Sequence, residues 1–190
     1  SLVVGFGSWV IPHLITKLDE GDLKAQIACA HALGRIGADA VQPLLKEYKE
    51  CTNCHYQIFI LYSLGKIKSP KVAPAFDLAL DAVGSDNDEL RELRDTATRV
   101  LGKFAESIPV NEISKESIAN CLTLLKKCLS DTNAGVRAKT VRSLGKFAGS
   151  GHLSDDQVGE LKTTFNALLG NDEKFSFSSR DSVVFSAPSW

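Results

Sequence analysis

Four stretches of the chain share one pattern: ACAHALGRIG at 28–37, FILYSLGKIK at 59–68, TATRVLGKFA at 96–105 and KTVRSLGKFA at 139–148. Each holds Leu-Gly, then a basic residue, then Ile or Phe. The glycines are Gly34, Gly65, Gly102 and Gly145, at intervals of 31, 37 and 43 residues. Pro12, Pro43 and Pro74 keep the first interval, 31 residues apart. A period in this range marks a solenoid, in which a unit too small to bury its own apolar face stacks on copies of itself.

Each unit reads as two helices. The first opens near a proline, in VIPHLITKLDE, AVQPLLKEYKE and VAPAFDLALDAV; proline suits a first helical turn, where its missing N–H is not needed. Leu14, Ile15 and Leu18 form one apolar stripe, and Leu44, Leu45 and Tyr48 the next. A short polar turn follows (GD, TN or GSDND), and a second helix runs to the Leu-Gly. Ile27, Ala30, Leu33 and Ile36 stand three apart, close to helical spacing, and Val136, Val141, Leu144 and Phe147 play the same part in the fourth unit. The glycine falls in the last turn of the second helix, where it costs roughly 1 kcal/mol of propensity against alanine. Its recurrence implies close approach by the first helix of the next unit, which a Cβ would block. SDNDEL lengthens the turn of unit three and ESIPVNEISKES the link into unit four; solenoids accept such insertions in loops on one face. The one competing strand signal is SVVF near the end.

The expected fold is therefore all-α: a right-handed α–α superhelix of about four helical hairpins. It is read as one repeat array over residues 1–190, with approximate units 8–37, 38–69, 70–107 and 110–151 and a partial unit 152–190. Arg180, Val184 and Ala187 repeat the spacing of Arg137, Val141 and Leu144, so a fifth second helix is expected there. Free solenoid ends need polar caps. Neither end supplies one and the chain has no methionine, so further repeats, or a partner over the ends, are expected.

Apolar residues make up 44% and charged residues 24%, a globular balance, and the net charge of −1 creates no overall field toward nucleic acid or an acidic membrane. No apolar run reaches the ~18 residues of a transmembrane helix and no signal peptide is visible, so a reducing, cytoplasmic setting is expected. Cys29, Cys51, Cys54, Cys121 and Cys128 are odd in number and cannot all pair within one chain.

The prolines, together with HALGRIG, YSLGKIK, RVLGKFA and RSLGKFA, resemble HEAT repeats, specifically the short variety of roughly 31 residues also found in phycobilisome lyase subunits. DTNAGVRAKTVRSLG at 131–145 is the closest match, with Asp131 at the turn and Val136-Arg137 opening the helix. The resemblance implies an armadillo-like solenoid that binds other proteins; it does not fix a function. The iron-dependent deoxyhypusine hydroxylase, which is similar to HEAT proteins, uses His-Glu pairs; here the histidines precede Leu14, Ala32, Tyr56 and Leu153. Neither a phosphate loop nor a nucleophile elbow is present. The carboxylates of SDNDELRELRD alternate with cations and read as a solvated face. No catalytic residue, cofactor or metal is assigned.

CTNCH at 51–55 has the spacing of c-type haem attachment. Aligned on the glycines, it fills the turn between the two helices of unit two. There Asn53 or Thr52 would cap the second helix, Cys54 would replace Leu23 as a small hydrophobe, and His55 would replace the exposed Lys24. A zinc site needs about four ligands, and the fourth is unidentified. Cys121 and Cys128, seven apart, share a helix face and read as apolar filler.

One polar pattern recurs. Arg35, Lys66, Lys103 and Lys146 follow the glycines; His31, Tyr62, Arg99 and Arg142 stand three before them. The two columns are four apart and share a helix face, so stacking aligns them into a stripe on the concave side. A cation in a last helical turn also favours the helix dipole by about 0.3–1 kcal/mol with no ligand at all. As a binding groove, the stripe would take an acidic protein or peptide; the balanced charge speaks against nucleic acid. The expected function is a non-enzymatic interaction scaffold. The alternative is a phycobilin lyase subunit or chromophore chaperone, with the propionates of a linear tetrapyrrole on the stripe.

Overall fold

The structure is a computed structural model that describes residues 2–169 apart from 86. Among them are nine α-helices, joined by short 3₁₀ segments and turns, and no strand. They pair as α1 (Leu2–Glu20) with α2 (Leu23–Ile36), α3 (Val41–Glu50) with α4 (Cys54–Leu64), α5 (Ala75–Gly84) with α6 (Arg91–Ser107), and α7 (Lys115–Cys128) with α8 (Ala134–Ser150). The last, α9 (Asp155–Leu169), packs on α8. This is the right-handed, HEAT-like superhelix. The residues expected to form a fifth second helix, and the SVVF stretch, lie outside the described residues. None of the described helices is long and apolar enough to cross a membrane.

Leu33, Leu64, Leu101 and Leu144 are all completely buried, successive copies of one niche. Phe76, Phe104 and Phe147 fill the space between units, and Phe76 meets Phe147 edge-on at 6.3 Å. Cys29, Cys121 and Cys128 are buried and unpaired. The stripe expected on α2 needs one correction: Ile27 is 39% exposed. Steps of three residues drift around a 3.6-residue helix, and by Ile27 the drift from Leu33 has turned the side chain off the core. Gln26 points inward instead.

Gln26 belongs to a column not foreseen from the sequence. Gln26, Gln57, Arg94 and Arg137 each stand eight residues before a repeat glycine. Each reaches back over the turn to a backbone carbonyl. Gln26 Nε2 donates to Leu18 O at 3.1 Å, Gln57 Nε2 to Cys51 O at 3.1 Å, and Arg94 to Ser85 O at 2.7 Å. Arg137 donates to Asp131 O at 2.7 Å and Thr132 O at 3.1 Å. The carbonyls at a helix C-terminus have no partner in their own helix, and this side chain supplies one. Four residues earlier in each unit comes the cap. Asp22 accepts from the Ala25 N–H, Asn53 from those of His55 and Tyr56, and Asn133 from that of Gly135. Unit three lacks this cap because its insertion puts a 3₁₀ turn, Asp88–Leu90, in that place.

The repeat glycines also need correction, in position and in partner. Gly34 lies in the last turn of α2, but Gly65 follows the end of α4, and α6 and α8 run on past Gly102 and Gly145 to Ser107 and Ser150. The approaching neighbour is the next second helix, not the next first helix. A Cβ on Gly34 would stand 2.5 Å from the Lys66 Cβ, and one on Gly102 would meet Ser143 at 2.5–2.8 Å, its Cα included. Second helices thus meet over longer stretches than first helices do, and the array curves with the second helices inside. Pro43 and Pro74 stand at or next to a helix start, whereas Pro12 lies inside α1, which begins earlier than expected.

Alanine should therefore act with opposite sign at two helical glycines. Gly102→Ala forces a backbone contact apart, and overpacking of this kind costs about 1–3 kcal/mol. Gly159→Ala, in α9 with nothing within 4 Å, should gain up to about 1 kcal/mol of helix propensity. Chemical denaturation of the two variants measures both; equal shifts would refute the stacking role. Arg137→Ala should lower stability by about 1.5–3 kcal/mol, the value of hydrogen bonds to a charged donor.

Candidate ligand cleft on the second helices

The inner curve brings most of the polar stripe together. His31 Nε2 lies 3.4 Å from the Tyr62 hydroxyl, and the two rings meet edge-on at 6.1 Å. Lys66 Nζ stands 4.8 Å from the centre of the Tyr62 ring and the Arg99 guanidinium 5.9 Å from it, both within cation–π reach. The tyrosine holds two cations of neighbouring units at one place.

From there a cleft runs along α6, between the segment that follows α4 on one side and α8 on the other. Its larger lobe, about 710 Å³, is lined by Lys66, Lys68, Ser69, Arg99, Lys103 and Glu106, among others. A smaller lobe of about 230 Å³ is lined by Arg99, Lys103, Lys139, Arg142, Ser143 and Lys146. Arg99 and Lys103 belong to both and form the wall between them. Arg35, exposed at the end of α2, lines neither lobe. The sequence reading missed Lys68, Lys139 and Glu106. Each occurs in one unit only, so the search for columns that found the stripe gave them no signal.

The helix dipole does not explain the cations of α6 and α8. Neither α6 nor α8 has a basic residue in its last turn, because both continue past Lys103 and Lys146. Of the four cations after the glycines, Arg35 alone lies inside a last turn.

Within the cleft the cations crowd one another. Lys146 donates to Glu106 Oε2 at 2.7 Å, and Lys103 Nζ lies 3.7 Å from the same oxygen. Lys139 is paired with Asp95. One carboxylate shared between two ammonium groups leaves a surplus of positive charge. The neighbouring Lys146, followed by burial, holds the Lys103 pKa below the ordinary lysine value; Glu106 opposes this in part. Such a group favours an arriving anion, which removes repulsion already present.

The first three residues of CTNCH form the inter-helix turn, and Cys54 and His55 open α4. Asn53 is the cap, His55 is exposed and edge-on to Phe59 at 5.1 Å, and Cys51 and Cys54 are half-buried free thiols. Burial raises the Cys51 pKa, the unreactive direction for a thiol. Among the described residues no group of three His, Cys, Asp or Glu side chains is placed to hold a metal ion. A further cleft of about 700 Å³ lies between α1 and α3, lined by Ile11, Ile15, Pro12 and Pro43 with charges of both signs.

No family model matches the chain. It is 28% identical over 143 residues to the bilin biosynthesis protein PecF of Mastigocladus laminosus, an alignment covering 73% of this chain and 65% of the relative, just under two thirds of that protein's length. In fold it matches the complex of CpcE and CpcF of phycocyanin lyase from Nostoc sp. PCC7120, with a TM-score of 0.71 at 19% identity, over 93% of this chain and 97% of that one. It also matches a designed armadillo repeat protein, with a TM-score of 0.60 at 16% identity, over 93% and 80% of the two chains. The relative in sequence is by its name a bilin biosynthesis protein, and the first of these structures is a complex of a phycocyanin lyase. This overturns the expectation of a non-enzymatic interaction scaffold, and with it the expectation that the chain is no enzyme.

Lys146→Ala should move the Lys103 pKa upward, because it removes the first cause of the depression and leaves Glu106 to Lys103 alone. NMR titration of the lysine side-chain carbons reads this directly; a pKa that stays or falls would contradict the coupling.

Proposed function

We propose that the chain is a bilin lyase subunit, or a bilin chaperone, that holds a linear tetrapyrrole on the inner face of its second helices and delivers it to a cysteine of an acceptor protein. The observation that supports this best is the larger lobe. Its volume of about 710 Å³ falls within the range of small-molecule pockets, about 300–1,000 Å³. Its walls are cationic, and two of its lining cations, Lys66 and Arg99, lie over the Tyr62 ring. A linear tetrapyrrole presents an extended π system and two propionates, and these match an aromatic edge and guanidinium or ammonium walls. Arg99, Lys66 and Lys103 are the principal contacts in this reading; Arg142 and Lys146 extend the cationic surface beyond them, and Tyr62 and His31 bound it. Arg35 lines neither lobe and takes no part in this reading.

The chain's own contribution is binding and orientation. The surplus positive charge attracts the acid groups before contact, and a cleft built on packed helices needs little ordering when the pigment arrives. The similarity to a bilin biosynthesis protein supports the pigment class. The fold shared with a two-chain lyase complex supports a second protein subunit as partner. The acid groups that the stripe meets are in this reading on the pigment.

Free biliverdin mixed with the chain should be retained through gel filtration with a red-shifted absorbance. Reversing charge at Arg99 and Lys103 should weaken retention at least about tenfold, or about 1.4 kcal/mol, with the melting temperature little changed because both side chains are exposed. Affinity should be complete below the Lys103 pKa of the free protein and fall as the pH rises through it, since an acidic ligand favours the protonated amine. A chain that elutes colourless, or a double variant that binds as the parent does, counts against the reading.

A further inference from the structure

The two lobes of the cleft differ in what they can hold. The larger lies within the volume range of whole small-molecule ligands, whereas the smaller, about 230 Å³, falls below the roughly 300 Å³ at which such pockets begin. The smaller lobe therefore has room for a chemical group, or a small ion, and not for a pigment. Its lining is almost entirely cationic: Arg99, Lys103, Lys139, Arg142 and Lys146, with Ser143. Two of these, Lys103 and Lys146, share Glu106, and Lys139 has Asp95. Arg99 and Arg142 form no ion pair among the described residues. Ser143 is buried, and its hydroxyl donates to Thr98 O at 2.7 Å, which fixes the floor between α6 and α8. Two guanidinium groups without a carboxylate partner among the described residues, each a planar fork of donors, beside crowded ammonium groups over a rigid floor make a receptor for a planar or tetrahedral oxyanion.

Resting on the bilin reading above, we propose that the smaller lobe is an oxyanion subsite that takes one carboxylate arm of a pigment lying in the larger lobe. Arg99 and Lys103, on the wall between the lobes, would serve both the pigment body and its arm. The same chemistry would accept free inorganic phosphate, so the occupant is decided by experiment. Arg142 is the residue to change: it lines the smaller lobe, not the larger, and it is exposed.

The test compares the full chain with its Arg142→Gln and Arg142→Glu variants, each first checked for an unchanged melting temperature. Three probes are titrated: biliverdin, its dimethyl ester and inorganic phosphate. The parent chain should bind the ester at least about tenfold more weakly than the diacid. In Arg142→Gln that penalty should shrink to about threefold or less, the non-additivity expected of groups in contact. Phosphate that binds the parent but not the variant, with an ester penalty that Arg142→Gln leaves untouched, would keep the subsite and assign it to a free oxyanion. An ester penalty indifferent to Arg142, together with phosphate that binds all three proteins alike or none, overturns the subsite. Retained pigment would in that case leave the bilin reading standing. If no pigment binds, that reading falls, and phosphate alone decides the subsite.

Discussion

Contact between neighbouring second helices is the constraint on which the rest depends. At Gly34 and Gly102 the next repeat comes so near that no Cβ fits. Glycine alone permits the approach, and the approach brings the second helices of neighbouring units into contact. If the second helices were held apart by even one methyl group, α6 and α8 could not share a floor at Ser143. The cations they carry would then point into solvent from separate ridges. The glycine that weakens α2 and α6 by about 1 kcal/mol each is thus the same feature that turns a row of basic residues into a cleft.

A second constraint keeps each hairpin in register. The side chain eight residues before the glycine crosses the turn and ties down the end of the first helix, and in units one, two and four a cap four residues before that side chain starts the second. Glutamine does this in units one and two and arginine in units three and four. Arg137, mostly buried, spends its charge on the carbonyls of Asp131 and Thr132. The column therefore looks basic in half the chain and neutral in the other half, yet it has one structural task. Basic residues in this solenoid serve two different ends, and position relative to the glycine separates them. The register-holding set lies on the turn side; the cleft set lies on the inner face.

That distinction explains what could be read in the sequence and what could not. The glycine spacing and the buried leucines repeat, so the helical pairs and their stacking were legible. The stripe His31, Tyr62, Arg99, Arg142 was legible for the same reason. The partner of each glycine was not, because spacing along one helix says nothing about which neighbour approaches it. Glu106 and Lys139 were invisible, since a residue present in one unit leaves no mark in a search for columns. Ile27 was misread because a step of three only approximates the helical period, and the error grows with each step. CTNCH, which as a string suggests a haem, takes its meaning from its place: a turn that must be capped, with Asn53 the capping residue.

The cleft is also where the repeats cease to be equivalent. In unit one the stripe ends in His31 and an isolated Arg35; in unit two it is Tyr62 with Lys66; only units three and four bring arginine and lysine together on both columns. These two units have the longest second helices, and α6 and α8 form the most extensive interface of the array. Their length carries Lys103 and Lys146 away from the helix ends, so the dipole does not offset their mutual repulsion. Glu106, one turn further along α6, is the compensation the fold supplies, and it is incomplete: one carboxylate faces two amines. A fold that needed only stability would be served equally well by neutral residues in place of Lys103, which is exposed, and Lys146, which is half-buried. Repulsion maintained on a rigid floor is what an acidic ligand would relieve, and this sets the place apart from the cysteines and from the cleft between α1 and α3.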